Sequence, residues 1–174
     1  KELKRLSGFR PAEKFLTELR QAIKSAATLD ELRKAAEKNP GDLDSVRAWA
    51  RATFASGNPA AAEEILSGAL KRKPMEASLL LELADIKRSG GQAAGARKLY
   101  KQVLSLGETR GGSSFLKAHL PLARLYLGGK QYKAALETLS AYISRVKNGK
   151  GLPEAYFLRS YVHSVEDRDT EALK

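Results

Sequence analysis

Apolar side chains recur along this chain with helical spacing. Phe15, Leu16, Leu19 and Ile23 fall on one face of a helix that opens at Pro11 and runs to Ala26. Proline suits the first turn of a helix, where its missing N–H has no intrahelical partner in any case. Thr28-Leu29-Asp30-Glu31 reads as a capping box, with Thr28 as N-cap and Glu31 reaching back. It predicts a second helix from Thr28 through about Lys38, broken by Asn39-Pro40-Gly41-Asp42.

Beyond that point the pattern repeats. Gly57 returns as Gly91 and Ala62 as Ala96, and the differences 91 − 57 and 96 − 62 are both 34. Amphipathic helices alone would place apolar residues at i, i+3 and i+4, but they would not keep Gly and Ala in phase from one unit to the next. The in-phase Gly ends a first helix in a tight turn. The in-phase Ala lets a second helix approach the first closely. Between Leu43 and Pro74 the marks are Trp49, Ala50, Gly57, Ala62, Leu66, Ala69 and Pro74. The unit from Ala77 to about Leu106 carries Leu80, Leu83, Ala84, Gly91, Ala96 and Tyr100. A third, from about Leu116 to Lys147, carries Leu122, Ala123, Tyr126, Gly129, Tyr132 and Ala135. Here the Ala-to-Ala step is 135 − 96 = 39, an excess of about five residues over the repeat period. Residues 107–114, with three Gly and two Ser, are the expected site of that insertion, as a mobile or extended loop whose shortening costs little. Pro121 then marks either the first turn of the next helix or a kink in one that began near Ser114. A fourth unit opens near Pro153 with Tyr156 and Ser160, and Ala172 is expected in its second helix.

These marks resemble the tetratricopeptide repeat: a large apolar residue with a small one beside it, a turn Gly, two Ala and a closing Pro, at a period of about 34 residues. The resemblance covers roughly residues 28–174. It implies an all-α fold, a right-handed superhelix of antiparallel helix pairs with about seven or eight helices, preceded by a short N-terminal segment open to an extended conformation. The implied organisation is an arm and helix over 1–26, then repeats over 27–174. The repeats divide into a degenerate unit to about 42, units at about 43–76, 77–114 and 115–150, and a truncated unit at 153–174. In this family the first helix of each pair lines a concave groove, with its second, fifth, ninth, twelfth and thirteenth positions turned inward. Carried onto this sequence, those positions are Asp44, Arg47, Arg51 and Phe54, then Leu81, Asp85 and Arg88, then Lys117, Leu120, Arg124 and Leu127, and finally Phe157 and Tyr161. Family members that clamp a chaperone's C-terminal carboxylate use Lys and Asn there. Arg47 and Arg51 could stand in for part of that set, but the Asn residues are missing.

The first residues carry a second resemblance. Gly8-Phe9 closing a charged stretch, followed by a helix with Phe15, Leu16 and Leu19, is similar to the last strand and helix of a thioredoxin-like domain. It covers about 26 residues and has no redox motif, since the chain has no Cys. Two readings stay open: a remnant of such a domain, or a basic arm leading into a helix. The chain opens on Lys1 rather than Met, which fits a leader or upstream domain lying before it.

Composition changes the picture mainly through charge. Thirty-one basic against twenty acidic residues give a net charge of +11. The densest clusters, Lys71-Arg72-Lys73 and Arg145 to Lys150, fall at the ends of second helices, where cations suit the helix dipole. They read as solvated helix termini, with nucleic acid or anionic lipid as the alternative partner. An acidic protein partner accounts for the same charge. No enzyme is expected: His119 and His163 have no metal-ligand spacing with each other, and Ser113 and Ser114 sit in no nucleophile or phosphate-loop motif. His119 reads as a packing residue. Glu82, Asp85 and Arg88 read as an ion-paired face of one helix. No cofactor or metal is expected. The function that fits is a protein-interaction scaffold whose groove takes a partner segment with acidic and apolar side chains. The alternatives are the repeat region of a thioredoxin-like redox or chaperone protein, or a basic surface for nucleic acid or lipid. Compartment and oligomeric state stay open.

Overall fold

The computed structural model of the chain describes residues 16–17 and 28–172, with side chains through Val165. Residues 28–172 form eight helices and, among the described residues, no strand. They are α1 (28–38), α2 (Leu43–Ala55), α3 (Pro59–Arg72), α4 (Ala77–Ser89), α5 (Ala93–Ser105), α6 (Gly107–Gly128), α7 (Tyr132–Arg145) and α8 (Leu152–Ala172). The expected helix count is met. The thioredoxin-like reading of residues 1–26 lies outside the described residues, apart from Leu16 and Thr17, which are helical.

The turns inside each pair explain the sequence period. At the end of α2 the Gly57 N–H donates to the Phe54 carbonyl and the Asn58 N–H to that of Thr53. At the end of α4, Gly91 donates to Arg88 and Gln92 to Lys87. At the end of α6, Lys130 donates to Leu127 and Gln131 to Tyr126. All three have the paired bonds of a Schellman cap, which need a left-handed residue just past the helix. Gly57 and Gly91 supply it with φ of 87° and 79°. In the third unit the left-handed residue is Lys130, φ 55°, and not the expected Gly129. The step 130 − 91 is 39, the same as from Ala96 to Ala135, so Lys130 is the in-phase residue.

After each turn the second helix returns along the first, and the in-phase alanines sit in the seam. Ala62, Ala96 and Ala135 are fully buried, as expected, together with Ala50, Ala84 and Ala123 on the first helices. A side chain larger than a methyl would hold the paired helices apart. Buried apolar side chains continue through the stack in three linked clusters: α1 to α4, α4 to α6, and α6 to α8. Each helix packs on the next from α2 onward. The first helices α2, α4, α6 and α8 also touch one another in turn, whereas α3, α5 and α7 do not. The molecule is therefore two layers, one of first helices in contact and one of second helices spread apart, as a curved stack requires.

Two local expectations fail. Residues 107–114 are not a loose loop: α6 begins at Gly107, breaks at Gly112 (φ 50°, ψ −138°) and resumes. Gly111 and Ser114 are buried, and a Cβ on Gly111 would lie 2.8 Å from the Phe115 Cβ. The extra residues thus fold into a helical turn wedged against Phe115, so removing them costs core contacts and not only loop entropy. Pro121 lies within the resumed helix, well past its first turn. Finally, α8 runs unbroken through Ala172, which was expected in a second helix. Its fully buried small residue is Ala155, and the expected marks Tyr156 and Ser160 are both exposed.

Candidate functional site

The inner layer of first helices carries the predicted groove residues, and their surroundings differ along it. At the N-terminal end, Arg47 and Arg51 both point at Glu82 on α4. Arg51 Nε donates to Glu82 Oε1 at 2.7 Å and its Nη2 pairs with Oε2. Arg47 Nε lies 3.5 Å from Oε2 without hydrogen-bond alignment, which leaves that buried N–H without a partner. Arg47 Nη1 is held by Asp44 at 3.0 Å. The Glu82 side chain is only 10% exposed, whereas Arg51 is 55% exposed. The Glu82 hydrogen bond raises the Arg51 guanidinium further above its ordinary value.

This arrangement corrects two expectations. Glu82 does not belong to an ion-paired face of its own helix; it reaches back to the preceding first helix. Arg47 and Arg51 are not free cations, so replacing both with Glu would set carboxylates against a buried carboxylate and destabilise the fold. Phe54 packs half-buried on the α1–α4 core, and Leu81 is buried in the α4–α6 core. Leu81 is thereby closed to a ligand, whereas Phe54 keeps part of its surface.

In the middle of the layer the polar groups are tied to the second helix. The Tyr100 hydroxyl donates to Asp85 Oδ1 at 2.6 Å and accepts from Arg88 Nε at 3.2 Å. Burial first, and then the bond to Asp85, hold the Tyr100 phenol far above its ordinary value, so it stays a donor. Arg88 Nη2 lies 3.8 Å from Asp85, and Arg88 remains partly exposed.

Toward the C-terminal end the layer opens into a cleft of about 450 Å³. Its floor is Leu116, Leu120 and Pro121 on α6 with Tyr142 and Val146 from α7 and the residue after it. Arg88, Lys117, Arg124 and Glu154 stand around it. Arg124 Nε donates to Glu154 Oε1 at 2.8 Å across the α6–α8 gap. Lys117 is exposed and has no ion-pair partner among the described residues. Pro121 has no N–H, so the Lys117 carbonyl lacks the helical donor four residues on. The cleft thus gathers four of the expected inner residues: Arg88, Lys117, Leu120 and Arg124. Leu127 lies farther along α6, half-buried and outside the cleft. Phe157 and Tyr161 stand on α8, 69% and 47% exposed, and do not line it.

Behind the cleft floor His119 is buried, as a packing residue. Its Nδ1 donates to the Phe115 carbonyl at 2.8 Å, its ring meets Phe115 edge-on at 4.8 Å, and Tyr142 lies 6.0 Å away. Burial pushes its pKa below the ordinary imidazole value, and the nearby Arg145 adds to the shift. Among the described residues no cluster of His, Asp or Glu could hold a metal ion, and no helix is long and apolar enough to cross a membrane.

Sequence reasoning singled out Glu82 without its pairing to the preceding first helix, and it missed Glu154. Glu82 follows Arg51 by 31 residues and Glu154 follows Arg124 by 30, a few short of the repeat period. That spacing was available as a signal: a residue slightly less than one repeat on faces the same side of the neighbouring first helix. It also missed Leu116, Pro121, Tyr142 and Val146.

No protein-family model matches the chain, and no curated protein matches it in sequence. Two crystal structures of MamA are similar in three dimensions. One superposes at a TM-score of 0.68 with 15% identity, covering 95% of this chain and 91% of that one. The other reaches 0.67 with 16% identity, covering 90% and 81%. Identity this low speaks to architecture alone, and none of these comparisons supports the thioredoxin-like reading. With the in-phase caps and seams described above, the likeness gives the chain a tetratricopeptide-like helical-repeat fold.

Proposed function

We propose that this chain is a protein-interaction scaffold whose inner helix layer receives a partner segment carrying both acidic and apolar side chains. The observation that carries this reading is the convergence of Arg88, Lys117 and Arg124 on one apolar-floored cleft in a layer of first helices. Arg there combines charge with a planar face that forks onto carboxylates, and apolar floors anchor side chains of a bound segment. A basic nucleic-acid surface is less well supported. The densest cationic run, Lys71-Arg72-Lys73, sits exposed at the end of α3 and its first two residues lie in the last turn, where the helix dipole accounts for them.

The test is site-specific photocrosslinking in the native host. A photoreactive residue at Lys117 or Leu127, on the inner layer, is expected to capture one polypeptide. The same residue at Lys98 or Lys133, on the second helices, is expected to capture none. Equal capture from both layers, or capture only from the second helices, would rule the inner-layer reading out.

A further inference from the structure

We infer that the cleft between α6 and α8 is the anchor point for the partner, taking one apolar side chain whose neighbouring carboxylate binds Lys117, and that Glu82 keeps the equivalent cations of the N-terminal half closed to such a ligand. This rests on the scaffold reading above and deepens it.

Occupancy of the two cation sites decides the argument. Arg47 and Arg51 already have a carboxylate: Glu82 fills the space that a ligand acid would need, and it is held by two hydrogen bonds from Arg51. A partner acid entering there would have to displace a buried, paired group and leave it uncompensated, which is costly. At the other end, Glu154 satisfies only Arg124 and is itself 33% exposed. Lys117 is left over, and Arg88 is held by a neutral hydroxyl and a carboxylate at 3.8 Å. The charged groups around the cleft are therefore three cations and one acid.

The floor specifies the rest of the ligand. Leu116, Leu120, Pro121 and Val146 offer an apolar seat, and Tyr142 is too buried to offer a free ring face. Nucleic-acid bases are gripped by exposed aromatic faces, so the seat suits an aliphatic or aromatic side chain better than a base. A second copy of this chain would bring the same excess of positive charge, +11, to a site that is itself cationic. Acidic and apolar is the chemistry of a segment from another protein.

The experiment uses the full chain and a short fluorescent peptide that repeats Asp-Leu-Glu-Leu, read by anisotropy at low salt and at physiological salt. Controls are the same peptide with Lys for each acid, a poly-Asp peptide and single-stranded oligothymidine. Wild type is expected to bind the acidic–apolar peptide well above all three controls. Lys117→Glu should weaken it by about tenfold or more, the size of one lost charge-assisted contact made repulsive, with the melting temperature unchanged. Lys98→Glu, the same charge change on α5, should leave binding within about twofold. Glu82→Gln, which removes the internal carboxylate charge but keeps its shape, should add a second, weaker site for poly-Asp. Equal weakening by Lys117→Glu and Lys98→Glu would overturn the proposal in favour of unspecific charge. Absence of binding, or tighter binding of oligothymidine, would overturn it as well. If the peptide binds, ignores Lys117→Glu and is lost with Leu127→Arg, the inner layer remains the interaction surface and the cleft does not anchor it.

Discussion

The two ends of the inner helix layer use the same device to different effect. In each, an Arg on one first helix reaches an acid on the next, Arg51 to Glu82 and Arg124 to Glu154, 31 and 30 residues on. At the N-terminal end the acid is buried, takes both hydrogen bonds of Arg51 and draws in Arg47. At the C-terminal end the acid is half-exposed, takes one bond from Arg124, and stands beside a cleft that still holds Lys117. A cation at an inward repeat position is therefore not in itself a binding residue. The neighbouring repeat decides whether that charge is structural or available.

The largest test of this contrast is the energy of the two acids. Glu82→Ala leaves two guanidinium groups facing each other in a partly desolvated space, and should cost about 2–3 kcal/mol, below the range for a fully buried pair because Arg51 is half-exposed. Glu154→Ala breaks an exposed pair and should cost under about 1 kcal/mol. Urea midpoints at constant m-value measure both. Equal costs would break the comparison.

Next in size is the wedge that begins α6. Gly111→Ala places a methyl against Phe115 at a distance that forces a shift, and should cost about 1–3 kcal/mol by overpacking. Amide exchange should show the loss in α6 and α7 and spare α2 and α3, because repeats touch only their neighbours. Uniform loosening would mean that the two halves are not separable.

The pH response just below 6.5 should also be confined to the C-terminal half. His119 is buried there with its pKa below the ordinary 6.5, so the unfolded chain takes up the proton more readily than the fold does. Stability is then fully present above 6.5 and falls as the pH drops below it, by no more than about 1.4 kcal/mol per unit for one proton. The groups facing the ring are Phe115, Tyr142 and Arg145, of which Arg145 is cationic throughout this range. A His119→Gln variant should lose that slope; a slope that survives would assign it to other groups.

The smallest effect is a gain. Lys130 holds a left-handed backbone that its counterparts Gly57 and Gly91 adopt freely. Lys130→Gly should stabilise the chain by about 0.5–1 kcal/mol, less than the full left-handed penalty because Gly loses more freedom on folding. Thermal melts resolve that much, and a loss of stability would show that the Lys side chain makes an offsetting contact.

The repeat architecture was legible because its requirements are local and unforgiving. A Schellman cap needs a left-handed residue, and a closely packed helix pair needs a small one, so Gly57, Gly91, Ala62 and Ala96 could be read from residue type and phase. Where a requirement was met by an unfavoured residue the reading slipped: Lys130 did the work assigned to Gly129. Residues 107–114 misled for a related reason. Their composition suggests high chain entropy, but Gly111 is required there because a side chain has no room beside Phe115. Several of the side chains expected to face inward lie elsewhere: Leu81 is in the core, Phe54 packs half-buried against it, and Arg47 and Arg51 turn toward Glu82. Pairing between helices 31 residues apart lies beyond the i, i+3 and i, i+4 rules that interpret charges within one helix. It requires the stacking geometry of two repeats, which no single segment encodes.

The most direct measurement of the central claim is hydrogen–deuterium exchange of the full chain with and without the acidic–apolar peptide. Protection is expected in the segment around Lys117 to Arg124 and around Val146 to Glu154, with α2 and α3 unchanged. Protection centred on α2, around Arg47 and Arg51, would mean that Glu82 does not close the N-terminal half, and would contradict the account.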